Sequence, residues 1–431
     1  MQPSPNSTLL APPEHIPHKP GRSLDKGSPL RVALIGVSGF AQVHFTMISN
    51  AMESSRLKLL AATVINQEEE AEKCSLIGSM GGKLYQDYRQ MLQELDGQID
   101  LCFIPTGIHL HTPMTIAALR AGANVFVEKP AAATIQEVNA MQETERRSNQ
   151  FVAVGYQTMY ASETLWMKEA IINGKIGKIK SIKCRGLWPR FDSYYTRNNW
   201  AGRLRVGQDW MLDSPFNNAI GHQLNMICFL AGKELSKSAE IANIQAELYR
   251  ARSIESADTA CMRISTNDDI SLYFYATHSS SGILNPEITV IGESGEVHWT
   301  FQKATLRTAN DEVHEINCEQ PASLRQQIIP RLAERINNSN AFICGLDIAK
   351  AQTLCVNGAH ESSSIHEIPA QYIEKINTDG EIKTIVKELD ATIQTAFRKE
   401  KLFSELGVPW AQSGKLIDLS DYKHFPTFRE I

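Results

Sequence analysis

The sequence predicts an α/β protein of two domains: an N-terminal doubly wound parallel sheet, then an α+β domain built on a large, mainly antiparallel open sheet. Three observations point there. Between about residues 31 and 155, short apolar runs alternate with segments of helical hydrophobic period, the pattern of a parallel sheet covered by helices on both faces. A glycine-bearing turn, Gly36-Val37-Ser38-Gly39, joins the first apolar run to the first helical segment. From about residue 156, strand-like runs alternate apolar and polar residues and follow one another through turn residues, as antiparallel strands do.

Along the first domain, RVALIGV reads as a strand, SGFAQVHFTMISNAM as a helix and LKLLAATVI as a second strand. Helical segments EEEAEKCSLIGSMGG and YRQMLQEL lead to the strand IDLCFIP, and HTPMTIAALRAG to the strand NVFVEKP. The helix TIQEVNAMQETERRSNQ and the strand FVAVGY close the domain near Gly155. After the helix ETLWMKEAIINGKIG, the second domain supplies the runs KIKSIKCRGLW, AEIANIQAELYRAR, TACMRISTN, DISLYFYATHSS and PEITVIGESGEVHWTF. A long segment, residues 189–232, separates the first of these from the second, and connections of that length are usually functional. The C-terminal part reads as helix in RQQIIPRLAERINN, AFICGLDIAKAQTLCVNGAHESS and EIKTIVKELDATIQTAFRKEKLFSEL. The resulting division is a flexible leader over 1–30, a dinucleotide-binding domain over 31–155, and a substrate and oligomerisation domain over 156–431 with a helical extension.

The 431 residues carry 43 basic and 48 acidic side chains, a net charge of −5. This balance lacks the basic stripe of a nucleic-acid-binding protein. No apolar run approaches the ~20 residues of a membrane helix. The eight cysteines are scattered without a C-x-x-C pair, so neither a disulfide framework nor a metal site is predicted. The proline-rich start lacks a signal-peptide pattern, and its His15 and His18 read as solvated tail residues. A cytoplasmic location is expected.

The segment VALIGVSGFAQVH supplies the first functional candidates. Set against G-x-G-x-x-G/A, Gly36 takes the first glycine, Ser38 the second and Ala41 the third, with Gly39 and Phe40 completing the turn. Such a strand-turn-helix unit places a pyrophosphate at the helix N-terminus, where free N–H groups and the helix dipole favour an anion. An acidic residue after the second strand would bind the ribose hydroxyls of NAD. Here the segment is Thr63-Val64-Ile65-Asn66-Gln67, with Asn66 nearest that place, so NAD and NADP both stay open.

The segment CFIPTGIHLHTPMTIAALRAGANVFVEKP, with Gly155-Tyr156-Gln157 after it, resembles the signature of the glucose–fructose oxidoreductase/inositol dehydrogenase (Gfo/Idh/MocA) family. The matching positions are Pro105, Thr106, His109, Ala118, Leu119, Ala121, Gly122, Val125, Glu128, Lys129 and Pro130. The resemblance spans about residues 31–300 and part of the C-terminal helices. It implies a Rossmann domain with bound NAD or NADP, contacts from Pro105, Thr106, His109, Glu128 and Lys129, and Lys129 as a general acid/base. It also implies a dimer or tetramer formed through the open sheet face. A lysine at a strand's carboxyl end, followed by proline, is aimed at the edge where open α/β sheets bind ligands. The neighbouring His111 is expected to be solvated.

The family's Asp-x-x-x-His-x-x-Asp pattern corresponds here to Asn218-x-x-x-His222-x-x-Asn225. At i, i+4, i+7 the three would share one helix face, with Asp213-Ser214-Pro215 capping the helix. His222 is therefore expected to assist Lys129, and Asn218 to grip substrate. Tyr195, Arg197 and Trp200, within the upstream run Tyr194–Arg203, suit a hydroxylated sugar or an acidic sugar derivative. The activity implied is hydride transfer between nicotinamide and a sugar, polyol or related small molecule. Two alternatives stand beside it: a glycoside hydrolase using bound NAD for transient oxidation, and a non-catalytic nicotinamide sensor.

Overall fold

The computed structural model describes residues 28–53 and 56–428; all but the last three residues of the expected leader lie outside them. The described chain forms two compact units. The first runs to residue 132, resumes over 136–160, and takes in residues 321–346, a segment beyond the span expected for it.

In the first unit the chain order is β1 (Leu30–Ile35), α1 (Ala41–Glu53), β2 (Leu57–Thr63), α2 (Ala71–Ser79), β3 (Lys83–Tyr85) and α3 (Tyr88–Glu94). Then come β4 (Leu101–Ile104), α4 (Ile108–Arg120), β5 (Asn124–Val127), α5 (Ile135–Arg146) and β6 (Val152–Val154). The strands form one parallel sheet in the order β3-β2-β1-β4-β5-β6. All four residues of β4 are buried, as expected of a strand with helices on both faces. The late segment closes the β6 edge: Val154 N–H donates to Cys344 O at 2.7 Å, and Phe342 packs edge-on against Tyr160.

The second unit begins with α6 (Ser162–Ile172) and β7 (Ile179–Leu187), followed by the short hairpin β8 (Arg205–Val206) and β9 (Asp209–Trp210) and by α7 (Gly221–Ala231). Strands β10 (Ile241–Arg250), β11 (Thr259–Thr266), β12 (Ser271–Thr277), β13 (Leu284–Gly292), β14 (Glu296–Trp299), β15 (Lys303–Arg307) and β16 (Val313–Asn317) follow. Helix α8 (Pro321–Asn337) belongs to the first unit, where it packs on α1. The chain then forms α9 (Leu346–Ser362), β17 (Ile365–Glu367), β18 (Ile373–Thr378), β19 (Glu381–Val386), α10 (Leu389–Lys399) and β20 (Ile417–Asp418). The large sheet has the order β16-β15-β14-β13-β7-β12-β11-β10-β17, with β20 on β10. It is antiparallel except where β12 meets β7 and β10 meets β17. Strands β15 and β16 extend it where the sequence reading placed none.

Alternate residues of a strand face opposite sides. On one side of the large sheet, Leu187, Tyr249, Cys261 and Tyr275 are covered by Leu389, Ile393, Ala396, Leu402, Phe403 and Trp410. Polar anchors fix this cover. The Tyr275 hydroxyl donates to Ala396 O at 3.0 Å and Lys401 O at 2.9 Å. The buried Glu247 carboxylate accepts from Ser404 N–H and from the Tyr249 hydroxyl. The face expected to be open for a second subunit is therefore occupied, over β7 and β10–β12, by the chain's own C-terminal residues. The helix expected to start at EIKTIV also differs: those residues are β19, paired with β18 across a turn at Asp379 and Gly380, both with positive φ. Asp-Gly between two alternating runs is a hairpin signal, and it overrides the helical period of the residues after it.

Candidate functional site

The first strand delivers the chain to a turn that only glycine adopts without strain. Gly36 has φ +93° and Gly39 +58°, backbone conformations costly for side-chain-bearing residues. Gly36 N–H donates to Thr63 O at 2.9 Å, which ties the turn to β2. Among the described residues, no acceptor meets the N–H groups of Ser38, Gly39 and Phe40, which precede α1 at Ala41. Three unclaimed donors at a helix start fit a pyrophosphate. Asn66 lies beside this turn as expected: its Nδ2 donates to Ser38 Oγ at 3.3 Å and to Glu69 Oε2 at 2.8 Å. Lys73, not foreseen, closes the turn from below by donating to Val37 O at 3.1 Å and pairing with Glu70. The hydrogen bonds from Lys73 and Ser38 hold the Glu70 carboxyl below its ordinary range.

Strands β1, β4 and β5 are parallel neighbours, so the residues following each share the sheet's carboxyl edge. This edge collects the Gly36–Ala41 turn, the Pro105–His109 segment after β4, and Glu128-Lys129 after β5. Thr106 lies against the glycine turn: a Cβ built on Gly36 would stand 3.6 Å from its Cγ2. His109 folds back over Gly107, where an added Cβ would meet its Cε1 at 2.9 Å. His111 corrects the expectation of a solvated ring. It is fully buried, its two nitrogens facing Pro130 O at 2.9 Å and Thr106 O at 3.0 Å. Burial pushes its pKa down against the pull of these carbonyls. The ring thus ties the β4 and β5 loops together, a position that sequence spacing could not distinguish from that of His109.

Glu128 is buried and faces inward. Its Oε1 lies 2.9 Å from Nε2 of the buried His44, and its Oε2 accepts the Lys129 N–H at 3.0 Å. Burial raises the carboxyl pKa, but the His44 hydrogen bond, the charges of His44 and Lys129, and the Lys129 N–H together hold it below its ordinary value. His44 stacks on Phe126, with ring centroids 5.3 Å apart. It escaped the sequence reading, although Ala41, His44 and Ile48 form the buried stripe of α1 at helical spacing. Glu128 is therefore placed to fix the backbone that carries Lys129. Gly155 makes room for it: an added Cβ would fall 2.7 Å from Glu128 Oε1 and 3.3 Å from its Cα. Gly155→Ala is expected to destabilise the protein by about 1–3 kcal/mol through overpacking, read as a lowered midpoint in thermal or urea unfolding; an unchanged midpoint would contradict this fit.

In the second unit, Ser214 Oγ accepts the Asn217 N–H at 3.1 Å, the cap predicted from Asp213-Ser214-Pro215. The helix does not run through from there. Residues Pro215–Ala219 form a π-helical turn, and α7 starts only at Gly221, so Asn218 does not share the α-helical register of His222 and Asn225. Asn218 instead donates to Asp213 Oδ1 at 3.0 Å, while Asp213 Oδ2 accepts the Gly202 N–H at 2.7 Å. His222, partly buried, occupies the first turn of α7. Asn225 is fully buried, and neither amide atom has a partner among the described residues. A carboxylate there would be a buried charge, far costlier than an unpaired amide.

The expected substrate residues separate by role. Tyr195 faces inward: its hydroxyl lies 2.9 Å from His278 Nδ1 and its ring sits 5.4 Å from the Arg252 guanidinium. Arg197 is exposed, stacked 3.6 Å from the Tyr194 ring and 5.0 Å from the half-buried Trp200. A hollow of about 420 Å³ between α3 and α4, lined by Tyr88, Leu92, Pro113 and Arg120 among others, contains none of the candidate residues. Among the described residues, no cluster of side chains could hold a metal ion, and no helix is long and apolar enough to cross a membrane. All eight cysteines are buried and outside any disulfide.

Two family models match the chain. Residues 30–156 match the oxidoreductase family's NAD-binding Rossmann fold, and residues 168–347 its C-terminal alpha/beta domain. A glucose-6-phosphate 3-dehydrogenase of Bacillus subtilis (strain 168) is 28% identical over 153 residues, 36% of this chain and 41% of that protein. An inositol 2-dehydrogenase of Azotobacter vinelandii (strain DJ / ATCC BAA-1303) is 25% identical over 202 residues, 47% of this chain and 54% of its own length. The chain thus spans about half the length of the curated relatives it matches. Among solved structures, an inositol dehydrogenase homolog complexed with NAD+ from Azotobacter vinelandii superposes with a TM-score of 0.65 at 17% identity, covering 78% of this chain and 98% of that one. The WlbA dehydrogenase from Bordetella pertussis, in complex with NADH and UDP-GlcNAcA, gives 0.60 at 21% identity, over 77% of this chain and 97% of that one. With both family models matched in order over most of the chain, this protein belongs to the Gfo/Idh/MocA oxidoreductase family and carries its NAD-binding Rossmann domain.

Proposed function

We propose that the chain is an NAD-dependent oxidoreductase acting on a CH–OH carbon of a sugar, polyol or related small molecule. The observation that carries this reading is Lys129. It follows β5 at the carboxyl edge of the parallel sheet, beside the β4 and β1 turns, and its backbone is held by a buried Glu128–His44 pair. NAD, when bound, supplies the hydride chemistry. Lys129 takes the proton from the hydroxyl that is oxidised, or returns it to the carbonyl that is reduced. His222 assists the proton transfer, and Asn218, oriented by Asp213, holds a substrate hydroxyl. Ser38, Gly39 and Phe40 supply the N–H groups for the pyrophosphate.

The surroundings of Asn66 favour NAD over NADP. Asn66 is bonded to Glu69, and the acidic run Glu68-Glu69-Glu70 would repel a 2′-phosphate. Fluorescence titration of the purified chain with NADH and NADPH, followed by a sugar and polyol panel read at the nicotinamide absorbance band, tests both statements. NADH should bind more tightly, and a hydroxylated substrate should reduce NAD. Equal or tighter NADPH binding would overturn the choice of cofactor. Loss of both nucleotides would overturn the function.

A further inference from the structure

The second unit carries a ladder of alternating guanidinium and aromatic groups. Trp188 stacks on Phe301 with centroids 6.1 Å apart and planes at 16°. The Arg190 guanidinium lies 5.7 Å from the Trp188 ring and 5.2 Å from Tyr194. Arg197 covers Tyr194 at 3.6 Å and Trp200 at 5.0 Å. A guanidinium stacked on an aromatic ring keeps N–H groups at its edge for an anion; Arg197 uses one of its own, Nη1 donating to Tyr194 O at 2.5 Å, and keeps the others.

The charges nearby are unevenly matched. Arg252 is neutralised by Asp192 at 2.8 Å and Asp258 at 3.2 Å. Asp213 is engaged by Gly202 N–H and Asn218. Among the described residues, neither Arg190 nor Arg197 forms an ion pair. Next to them, His278 is only 2% exposed, and its Nε2 has no hydrogen-bond partner among the described residues. A neutral ring that accepts from the Tyr195 hydroxyl at Nδ1 carries its proton on Nε2, leaving a buried donor without an acceptor. Asp213 links this cluster to Asn218 and also acts on Tyr194 and Tyr195 through its charge.

From this placement we infer that Arg190 and Arg197 bind an anionic group of the substrate, so that the chain acts on a sugar derivative bearing a carboxylate or phosphate rather than on a neutral sugar. The inference rests on the function proposed above and narrows its substrate class. Planar guanidinium edges suit either anion bidentately.

The test is a binding titration that needs no turnover. Tryptophan emission, to which Trp188 and Trp200 at the two ends of the ladder contribute among the six tryptophans, is followed in the full chain with saturating NADH as glucuronate, glucose 6-phosphate or glucose is added. One anionic sugar should bind about tenfold or more tightly than glucose; whichever arm responds identifies carboxylate or phosphate as the group recognised. The advantage should weaken with salt and disappear in the Arg190→Gln/Arg197→Gln variant. Arg197→Lys, which keeps the charge but loses the planar edge, should retain only part of it and keeps the test decisive where the double variant fails to fold. Glucose bound as tightly as both anions, or discrimination surviving in the variants, would overturn the inference. If no sugar is oxidised but an anionic one binds through the two arginines, the proposed chemistry fails while the ladder's role stands.

Discussion

Replacing Lys129 with methionine is expected to lower kcat/KM for the chain's substrate by about 10²–10⁴-fold, the span of general acid–base contributions. The side chain follows β5 at the edge shared by the glycine turn and the Pro105–His109 segment. Its backbone N–H is fixed by Glu128, itself fixed by His44, so methionine removes the proposed proton carrier and leaves the scaffold. NADH affinity should change little, because the donors proposed for the pyrophosphate are the N–H groups of residues 38–40. Steady-state kinetics paired with NADH titration separate the two effects. A variant that binds NADH normally and turns over at the parental rate would remove Lys129 from the chemistry. A variant that loses NADH would reassign it to cofactor binding.

Arg252→Met should produce the largest loss of stability, about 3–5 kcal/mol, the usual cost of removing one partner from a buried ion pair. The guanidinium gathers six residues of the second unit. Nε donates to Asp192 Oδ1 at 2.8 Å, and Nη1 to Asp258 Oδ2 at 3.2 Å and Ser279 Oγ at 2.8 Å. Nη2 serves Arg190 O at 2.7 Å, Thr384 O at 2.9 Å and His278 O at 3.3 Å. Asp258 is fully buried, so the variant strands its carboxylate. For a unit of this size the thermal midpoint should fall by roughly 6–20 °C. Calorimetry reads the transition directly, and a shift of about 1 °C would show that the network contributes little. Because Thr384 lies on β19, the variant should also loosen the C-terminal hairpin, visible as faster amide exchange over residues 373–386.

Much of this was legible in the sequence. Each strand of the parallel sheet is a short apolar run bounded by turn residues, and each intervening helix shows its period. The glycine turn, the Ser214 cap and the place of Lys129 at the end of a strand could be read because local backbone chemistry dictates them; the role proposed for Lys129 came from the family signature. His44 and Arg252 could not. Their roles depend on Glu128, 84 residues from His44, and on Asp192, 60 residues from Arg252, pairings that no local pattern encodes. His111 was misread because a buried histidine bonded to two carbonyls has the same spacing as an exposed one. The β18–β19 hairpin was obscured by the strong helical period of α10 directly after it. Tyr195 looked like a binding residue by its type, and only His278, 83 residues away, shows that its hydroxyl is already in use.

The return of residues 321–346 to the first unit bears on how the chain must be made. The cofactor-binding unit begins to emerge from the ribosome before the second unit, yet it is completed only after residues 161–320 of that second unit have been made. Until Cys344 arrives, Val154 lacks the carbonyl it donates to, and β6 is a bare sheet edge, the kind that pairs with other chains. The ten-stranded sheet is mostly synthesised during that wait. A fragment cut after residue 160 would preserve every residue of the nucleotide turn while carrying that edge unprotected. The two units are therefore successive in sequence only in part, and in biogenesis they are interleaved.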